Sequence, residues 1–573
     1  MAEMILPGVY IDVRAEGLIA AGQVTVGNIG MVGTARRGPV GRAVLLSTYG
    51  EALETFGAYD PFDDAINPGH PLTLLRALEL AYANGATKVY AVRVQSATTP
   101  ATAASLPLKQ GAVTAVTLKA PSPGSWGNDV EVNVWDAEAD AVITNEVVAG
   151  GTPLSRHPVE TGVTPRIRIF RNATKQTQVM GVSFTAASPG TAFVTAATGV
   201  VALDPADALL AGDVVTATYA VPKLNARKVT LRLGAVTESY TVADGKHLAE
   251  LLGLPAADTG SSLARGDLTG ATPADLPDKS PSAIAWARLG SGPGSSPGSD
   301  GADAADTDYK KALDALVNEE AHIIVAAGQD AAAVADELTG HVQSASTDQV
   351  RRDRVAVVGS SPGATPQQIA LHNVASDRVI FVGPGIRTSD AASRKSDKSV
   401  VLPGAYAAAA VAGMMSARDP HVSLTNKVLA VAGVAGGPGR GAKPTPAELE
   451  LMVQNRVLAL EERQGVRVVK AVTTDDGAFK QITTRRIVDY AKFGVRSASQ
   501  PFIGLLNNDR VRKALQGSIN GFLAGMVDDE MLVSYDLAVT ATRDEEIRGI
   551  ARVTMTVRPT FSIDYIKVTM FLG

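Results

Sequence analysis

The stretch that decides the fold runs from residue 321 to residue 383: AHIIVAAGQDAAAVADELTGHVQSASTDQVRRDRVAVVGSSPGATPQQIALHNVASDRVIFVG. His322–Ala327 is an apolar run without alternation, followed by a helical pattern over Ala331–Ser344. The same pair recurs twice more. Arg354–Val358 is a strand, Thr365–Ala375 reads as a helix, and Arg378–Val382 is again an apolar strand. Strands that are apolar on both sides and separated by helices predict a largely parallel sheet covered on both faces. Tyr309–Asn318 extends the helical pattern upstream and Ala405–Ala417 adds a small-residue helix downstream, so residues 286–435 read as an α/β core.

The same rhythm occurs near the start of the chain. Val24–Val32 is a strand candidate, and Leu72–Asn84 carries Leu72, Leu75, Leu78, Ala81 and Tyr82 at helical spacing. Gly85 follows as a helix-ending residue, and Lys88–Val94 is a compact strand. Residues 21–100 are therefore the first part of the core. Between the two parts, residues 101–285 change character. Short alternating runs at Val130–Trp135, Arg166–Phe170, Phe193–Thr198, Val214–Tyr219 and Lys228–Leu233 predict an inserted β-rich outer domain. The Gly/Ser/Pro/Asp stretch at 290–306 reads as a flexible loop.

Residues 436–573 form a C-terminal α+β domain in this reading. A helix is expected over Pro446–Gln464, a strand over Val466–Val472, and a long helix over Asp509–Met526. Strands follow at Ile547–Arg558 and Ser562–Leu572. In the last of these Ile566, Val568, Met570 and Leu572 share one side, and Tyr565, Lys567, Thr569 and Phe571 the other. Residues 1–20 form a detached arm in which Val9, Ile11 and Val13 alternate with Tyr10, Asp12 and Arg14. The fold class is α/β (α+β), multidomain.

Composition removes several functions. The 573 residues include no cysteine, which excludes disulfides, Fe–S clusters, Cys-ligated zinc and thiol nucleophiles. Lys plus Arg number 53 against 58 Asp plus Glu, and a net charge of −5 gives no basic footprint for direct nucleic-acid contact. The longest apolar run, near Ala405–Met415, is well short of the roughly 20 residues that cross a bilayer, so no direct membrane contact is expected. The opening residues lack the basic and apolar regions of a signal peptide, which predicts assembly in the cytoplasm.

Candidate active sites fail on chemistry. Gly359-Ser-Ser361-Pro-Gly363 fits G-x-S-x-G between a strand and a helix, where a nucleophile elbow sits. The residue after Ser361 is Pro362, which has no N–H to give an oxyanion hole, and losing one such donor costs roughly a hundredfold to a thousandfold in rate. Gly294–Gly298 fails the same way at Pro297. Gly436–Lys443 resembles a phosphate loop, but Ala442 separates Gly441 from Lys443 and Pro444 replaces the hydroxyl that would hold magnesium. Asp300, Asp303, Asp306 and Asp308 lack the glycine and closing glutamate of a calcium loop, and the seven histidines are scattered. No cofactor, metal or enzymatic activity is expected; a structural or assembly protein is.

The ordered motifs resemble those of contractile tail sheath proteins, the family of myophage, R-type pyocin and contractile injection system sheaths. Leu6-Pro-Gly-Val-Tyr-Ile-Asp12 is similar to the family's N-terminal strand. Gly27–Pro39, Ser47-Thr-Tyr-Gly50 and Phe56-Gly57 follow in the family's order. Pro123–Asn128 is similar to its G-x-W-G-N turn, Gly298–Gly301 with Asp308-Tyr309 to its acidic segment, and Leu402–Gly413 to its Ala-rich helix. Phe502 with Asn507–Arg510 is similar to its C-terminal domain.

The resemblance implies a core subtilisin-like in fold alone, and a subunit that stacks in hexameric rings as a sleeve around an inner tube. It implies baseplate and terminator or cap proteins as further partners, and a place in a phage tail or injection particle. It implies linking strands that enter a neighbour's sheet, for which the chain offers Val9, Tyr10, Ile11, Asp12, Val13 and Arg14 at one end and Tyr565, Ile566, Lys567, Val568, Thr569, Met570, Phe571 and Leu572 at the other. For tube contact the candidates are Arg510, Arg512 and Lys513, cations in the first turn of a helix, where the dipole disfavours them. The alternatives are a non-contractile polymer of capsid or surface-layer type and an α/β hydrolase using Ser361.

Overall fold

A strand that is apolar on both faces has no side for solvent, and six largely apolar strands lie parallel in one unit of the chain. The computed structural model describes residues 27–63, 72–148, 153–255, 259–393, 396, 398–435 and 443–571. The arm at Val9–Arg14, Leu572 and the loop at 436–442 lie outside the described residues. The chain divides into two units: Met1–Ala35, Val40–Val94 and Ala304–Gly573 in one, and Arg36–Pro39 with Gln95–Asp303 in the other. The class is mixed α/β, multidomain.

The central sheet of the first unit is built from β1 (Ile29–Thr34), β2 (Ala43–Leu46), β3 (Val89–Val94), β4 (Ile323–Asp330), β5 (Val355–Gly359), β6 (Val379–Gly383), β7 (Val428–Leu429), β8 (Leu458–Glu462) and β9 (Val466–Val468). Their order is β2-β3-β1-β4-β5-β6-β8-β9-β7. The strands from β3 to β8 run parallel, and antiparallel strands close the two edges. Ile29 stands opposite both Val89 and Ile323, which fixes the register across the join between the two chain segments. One face carries α1 (Tyr49–Phe56), α2 (Leu74–Ala83) and α6 (Gly404–Ser416); the other carries α3 (Asp306–Asp314), α4 (Ala331–Ala345), α5 (Pro366–Ala370) and α7 (Pro446–Gln454). Helix α6 is buried from Gly404 to Met415, which its alanines permit because a backbone can come close over a methyl group.

The structure differs from the sequence reading here in an instructive way. The helix expected through Gln464 ends at Gln454, and Leu458–Glu462 is a strand in the middle of the sheet. Arg456 adopts φ 65°, a left-handed conformation that stops the helix. Val457 and Leu460 continued the apolar helical spacing by coincidence; pairing beside β6 outweighs that weak local preference. The helix read over Thr365–Ala375 is likewise a single turn, Pro366–Ala370.

The second unit is β-rich. A six-stranded sheet includes Ala141–Val148, Arg166–Arg171 and Val214–Val221, and a four-stranded sheet includes Glu131–Asp136 and Arg227–Leu233. The 290–303 stretch is fixed here and is not a free loop. Asn128 holds Gly298 twice, donating from Nδ2 to its carbonyl at 2.9 Å and accepting its N–H at Oδ1 at 2.7 Å. Asp300 accepts from the N–H of Ser125 at 2.8 Å and from its hydroxyl at 2.5 Å. Two motifs that looked separate in sequence, Pro123–Asn128 and Gly298–Gly301, thus clasp each other.

The first unit also contains a C-terminal body. Helices α8 (Ile482–Ser499) and α9 (Asp509–Asp528) lie beside a two-stranded antiparallel sheet of β10 (Leu532–Thr540) and β11 (Arg552–Pro559), whose connection carries α10 (Arg543–Ile547). Ile487, Ala491, Ile519, Leu523 and Met526 form its core.

Candidate assembly interface

The chemistry that mimicked an active site is explained by packing. A Cβ on Gly359 would overlap the carbonyl of Gly404, because the start of α6 lies directly on the end of β5. Ser360 is buried beneath Gly404, and its N–H donates to the carbonyl of Val382 at 2.9 Å. Pro362 and Gly363 form the turn into α5. The nearby His372 has its Nε2 on the carbonyl of Asn455 at 2.7 Å, so this nitrogen is engaged by backbone. Two of the acidic residues of the 300–308 stretch are engaged by the fold, Asp300 by Ser125 and Asp308 by the N–H of Ala305 at 3.0 Å, and Asp303 and Asp306 are exposed. Among the described residues, no group of three or more metal-ligating side chains assembles.

The C-terminal body presents the surfaces of interest. Along β10 and β11, alternate side chains Tyr535, Leu537, Val539, Val553, Met555 and Val557 turn towards α8 and α9. The register Leu537–Met555 and Val539–Val553 stacks them in cross-strand pairs. Both outer edges of the pair carry no further strand among the described residues. A two-stranded sheet is marginal by itself in water, and an open edge is a row of unpaired N–H and C=O groups.

The expected last strand pairs with no other strand among the described residues. The final antiparallel pair is β10 with β11, and residues 560–571 run on without a ladder. Near its start this tail is held by Lys470, whose Nζ lies 3.4 Å from the Asp564 carboxylate and donates to the Tyr565 hydroxyl at 3.1 Å. Beyond that its apolar side chains stand in solvent: Ile566 is 82% exposed, Met570 80% and Phe571 89%. Phe561, Ile563, Tyr565 and Val568 are exposed as well. Lys567 and Thr569 are exposed between them.

The three basic candidates on α9 are separated by their surroundings. Asn508 caps the helix by accepting from the N–H of Val511 at 2.9 Å. Arg512 is turned inward, donating to Glu546 Oε1 at 2.9 Å and Asn507 Oδ1 at 3.0 Å, so its charge is accounted for by folding. Its partner Glu546 is held below the usual carboxylate range by hydrogen bonds from Arg543 and Arg512. Arg510 is exposed, and Lys513 pairs across one turn with Asp509 at 3.0 Å in open solvent.

Sequence reasoning missed α8, although Ile487, Ala491, Gly494, Val495 and Ala498 repeat at helical spacing and would have shown it. This helix ties the body to the core sheet. Arg485 pairs with Asp377 at 2.8 Å and Asp489 at 2.7 Å, and Asp489 also accepts from Arg378 at 2.8 and 3.0 Å. Asp353, at the head of β5, accepts from Arg378, Lys492 and Arg496.

The catalytic look-alikes of the core are packing features, and the C-terminal body carries open sheet edges and an exposed apolar tail. Comparison with known proteins points to sheath proteins. Residues 302–474 match the phage tail sheath protein central domain and residues 474–573 the phage tail sheath C-terminal domain, together just under half of the chain. It is 25% identical over 275 residues to the tail sheath protein of Mycobacterium phage Bxz1, a match covering 46% of this chain and 45% of that protein. The alignment therefore spans less than half the length of that relative. Two solved structures share the fold. The sheath tail protein from Desulfitobacterium hafniense superposes with a TM-score of 0.55 at 15% identity, covering 96% of this chain and all of that one. The sheath tail protein from Listeria innocua gives 0.55 at 14% identity, covering 94% and 93%.

Proposed function

We propose that this chain is the sheath subunit of a contractile tail or injection particle. It polymerises with itself in stacked hexameric rings around an inner tube, between a baseplate and a terminator or cap, and drives the tube through a target envelope when the sleeve shortens. The core is read as subtilisin-like in fold, residues 101–285 as the outer insert, and 436–573 as the inner, tube-facing domain.

One observation carries this reading. Residues 566–571 are exposed, largely apolar and without a partner strand among the described residues, while the β10–β11 pair has open edges there. Adding a neighbour's terminal strand would satisfy both. Backbone bonds of an added strand contribute a net ~0.5–1.5 kcal/mol each, so two arms of about five to seven bonds make a strong tether. Such a tether persists while the subunits rotate, because it depends on main chain and not on a rigid side-chain interface. Val9–Arg14 is the second such arm in this reading. Arg510 and Lys513 are the outward cations left for the tube.

Negative-stain microscopy of the purified protein tests it. Striated hollow cylinders of fixed width are expected, and deletion of residues 1–14 should leave folded subunits that do not polymerise. Closed shells or flat lattices would replace this reading with a capsid or surface-layer polymer. Labelling of Ser361 by an active-site phosphonate would overturn it in favour of a hydrolase.

A further inference from the structure

Several buried arginines in this protein meet carboxylates: Arg76 pairs with Asp390, Arg156 with Asp244 and Arg378 with Asp489, whereas Arg265 and Arg486 donate to backbone carbonyls. Arg354 is of the second kind. It is 1% exposed at the head of β5, and among the described residues no carboxylate pairs with it. Its guanidinium donates to the carbonyls of Leu316 at 3.0 Å, Val317 at 3.1 Å and Glu319 at 3.2 Å, which form the turn between α3 and β4. Nε donates to the carbonyl of Arg352 at 3.2 Å. The remaining partner is a side chain: Nη1 lies 2.9 Å from Nε2 of His341 on α4.

An arginine side chain only donates, so Nε2 of His341 must accept, and the neutral ring must carry its proton on Nδ1. A protonated His341 has no acceptor. It would set an N–H against an N–H and a second positive charge against the guanidinium, in a largely buried site. The other charged groups facing His341 are Lys310 and Asp314 of α3 and Asp336 and Glu337 of its own helix, around a cavity of about 320 Å³. On the far side of Arg354, His322 begins the turn into β4 with its Nδ1 buried and without a partner. It faces Glu319, Glu320, Arg351, Arg352, Asp353 and Arg354, with Arg486 and Asp489 from α8. The two rings bracket the same buried cation.

We propose that His341 and Arg354 form an acid-released latch on the turn between α3 and β4: protonation of His341 breaks its contact with Arg354 and frees residues 315–320. Burial first, and then the charge of Arg354, hold His341 down to about 4. Burial, followed by the charges of Arg354, Arg486 and Arg352, holds His322 down to about 4 as well. A released histidine returns to an ordinary value near 6.5. The folded value lies below the released one, so the neutral ring stabilises the latch fully above about pH 6.5, and that stabilisation drains away as pH falls towards 4. The latch lies inside one subunit, and its test does not depend on polymer formation.

Hydrogen exchange of the full chain, followed by mass spectrometry between pH 7.5 and 4.5 and corrected for intrinsic rates, reads the latch directly. Protection of residues 315–322 should fall about tenfold or more between pH 6.5 and 4.5. In His341→Gln, whose Oε1 accepts from Arg354 without titrating, the fall over the same range should shrink to the share that His322 contributes. A parallel fall in both proteins overturns the proposal, as does no fall in the wild type. If the variant does not fold, the wild type alone decides: loss confined to this turn and the facing part of α4 supports the latch, and uniform loss over the core sheet removes it.

Discussion

Arg486, buried near the start of α8, donates from Nη2 to the carbonyl of Arg418, 2.8 Å away, just beyond the last turn of α6. Its Nη1 reaches the carbonyl of Asp419 at 3.4 Å, and Arg418 itself donates back to the carbonyl of Met414 at 2.8 Å. The C-terminal end of the buried Ala-rich helix, where helix dipoles concentrate negative potential, is thus met by two cations, one of them from the C-terminal body. Burial lowers the pKa of Arg486 to about 10, so it remains charged at neutral pH. Arg486→Met should cost about 1–3 kcal/mol, since it removes both hydrogen bonds of a buried cation. Urea unfolding of the full chain measures this. A loss under about 0.5 kcal/mol would mean that water replaces the arginine at no cost.

The paired carboxylate of α8 gives a sharper case. Asp489 accepts from both Arg378 and Arg485, so neutralising it leaves Arg378 to Asp353 alone and Arg485 to Asp377 alone. Asp489→Asn is expected to destabilise by about 3 kcal/mol, in the range for breaking one side of a buried ion pair. The loss should show first as faster hydrogen exchange in α8. Replacing Asp489 and Arg378 together by apolar residues should recover part of it, and if it recovers none the two residues are not coupled.

Gly359→Ala tests the packing account of the false nucleophile elbow. The added methyl would meet the carbonyl of Gly404, a backbone group that cannot rotate away. The variant is expected to lose at least about 2–3 kcal/mol, at the upper end for an overpacked core. A fully stable variant by thermal melting would show that α6 can slide off β5.

These cases separate what the sequence discloses from what it hides. The strands at His322–Ala327, Arg354–Val358 and Arg378–Val382 were legible because a sheet buried on both faces forces unbroken apolar runs, which few other elements require. Leu458–Glu462 was not, because its residues fit a helical period equally well and only the vacant position between β6 and β9 decides between them. Helix α8 was hidden by its charges. Arg485, Arg486 and Asp489 look like a solvated face in one dimension, and become interior only through partners more than 60 residues away. The assembly surfaces were half legible. Alternation along 565–572 marked a strand, but only the fold shows that nothing among the described residues pairs with it and that Arg512 belongs to Glu546.

That division among the basic residues of α9 makes opposite forecasts. Arg510→Glu removes an exposed cation and should leave the melting temperature unchanged while weakening association with tubes in co-sedimentation. Arg512→Ala breaks the bonds to Glu546 and Asn507 and should lower the melting temperature. Because the Glu546 carboxyl is held low in the folded protein, its stabilising share is present above the ordinary glutamate range and disappears as pH falls through it, so the two proteins should converge in acid. Equal melting at neutral pH would show that Arg512 adds nothing to the fold.

The tail offers a test of facing. A strand added to an edge of β10–β11 places alternate side chains on the apolar side, against α8 and α9, and the rest towards solvent. Ile566, Val568 and Met570 form the uniformly apolar row, while Lys567 and Thr569 lie in the other. In the isolated subunit Ile566 and Val568 are 82% and 75% exposed, so an aspartate at either position has no folded contact to disturb. Ile566→Asp with Val568→Asp should therefore melt like the wild type yet yield no cylinders, because each carboxylate would be driven into a neighbour's core at a cost of several kcal/mol. Thr569→Asp, one residue along and facing outward, should assemble normally. Sedimentation and microscopy of the three proteins decide it. If the double variant forms normal cylinders, the tail does not enter a sheet with this face inward. If Thr569→Asp alone blocks assembly, the strand is added with the opposite face to the core.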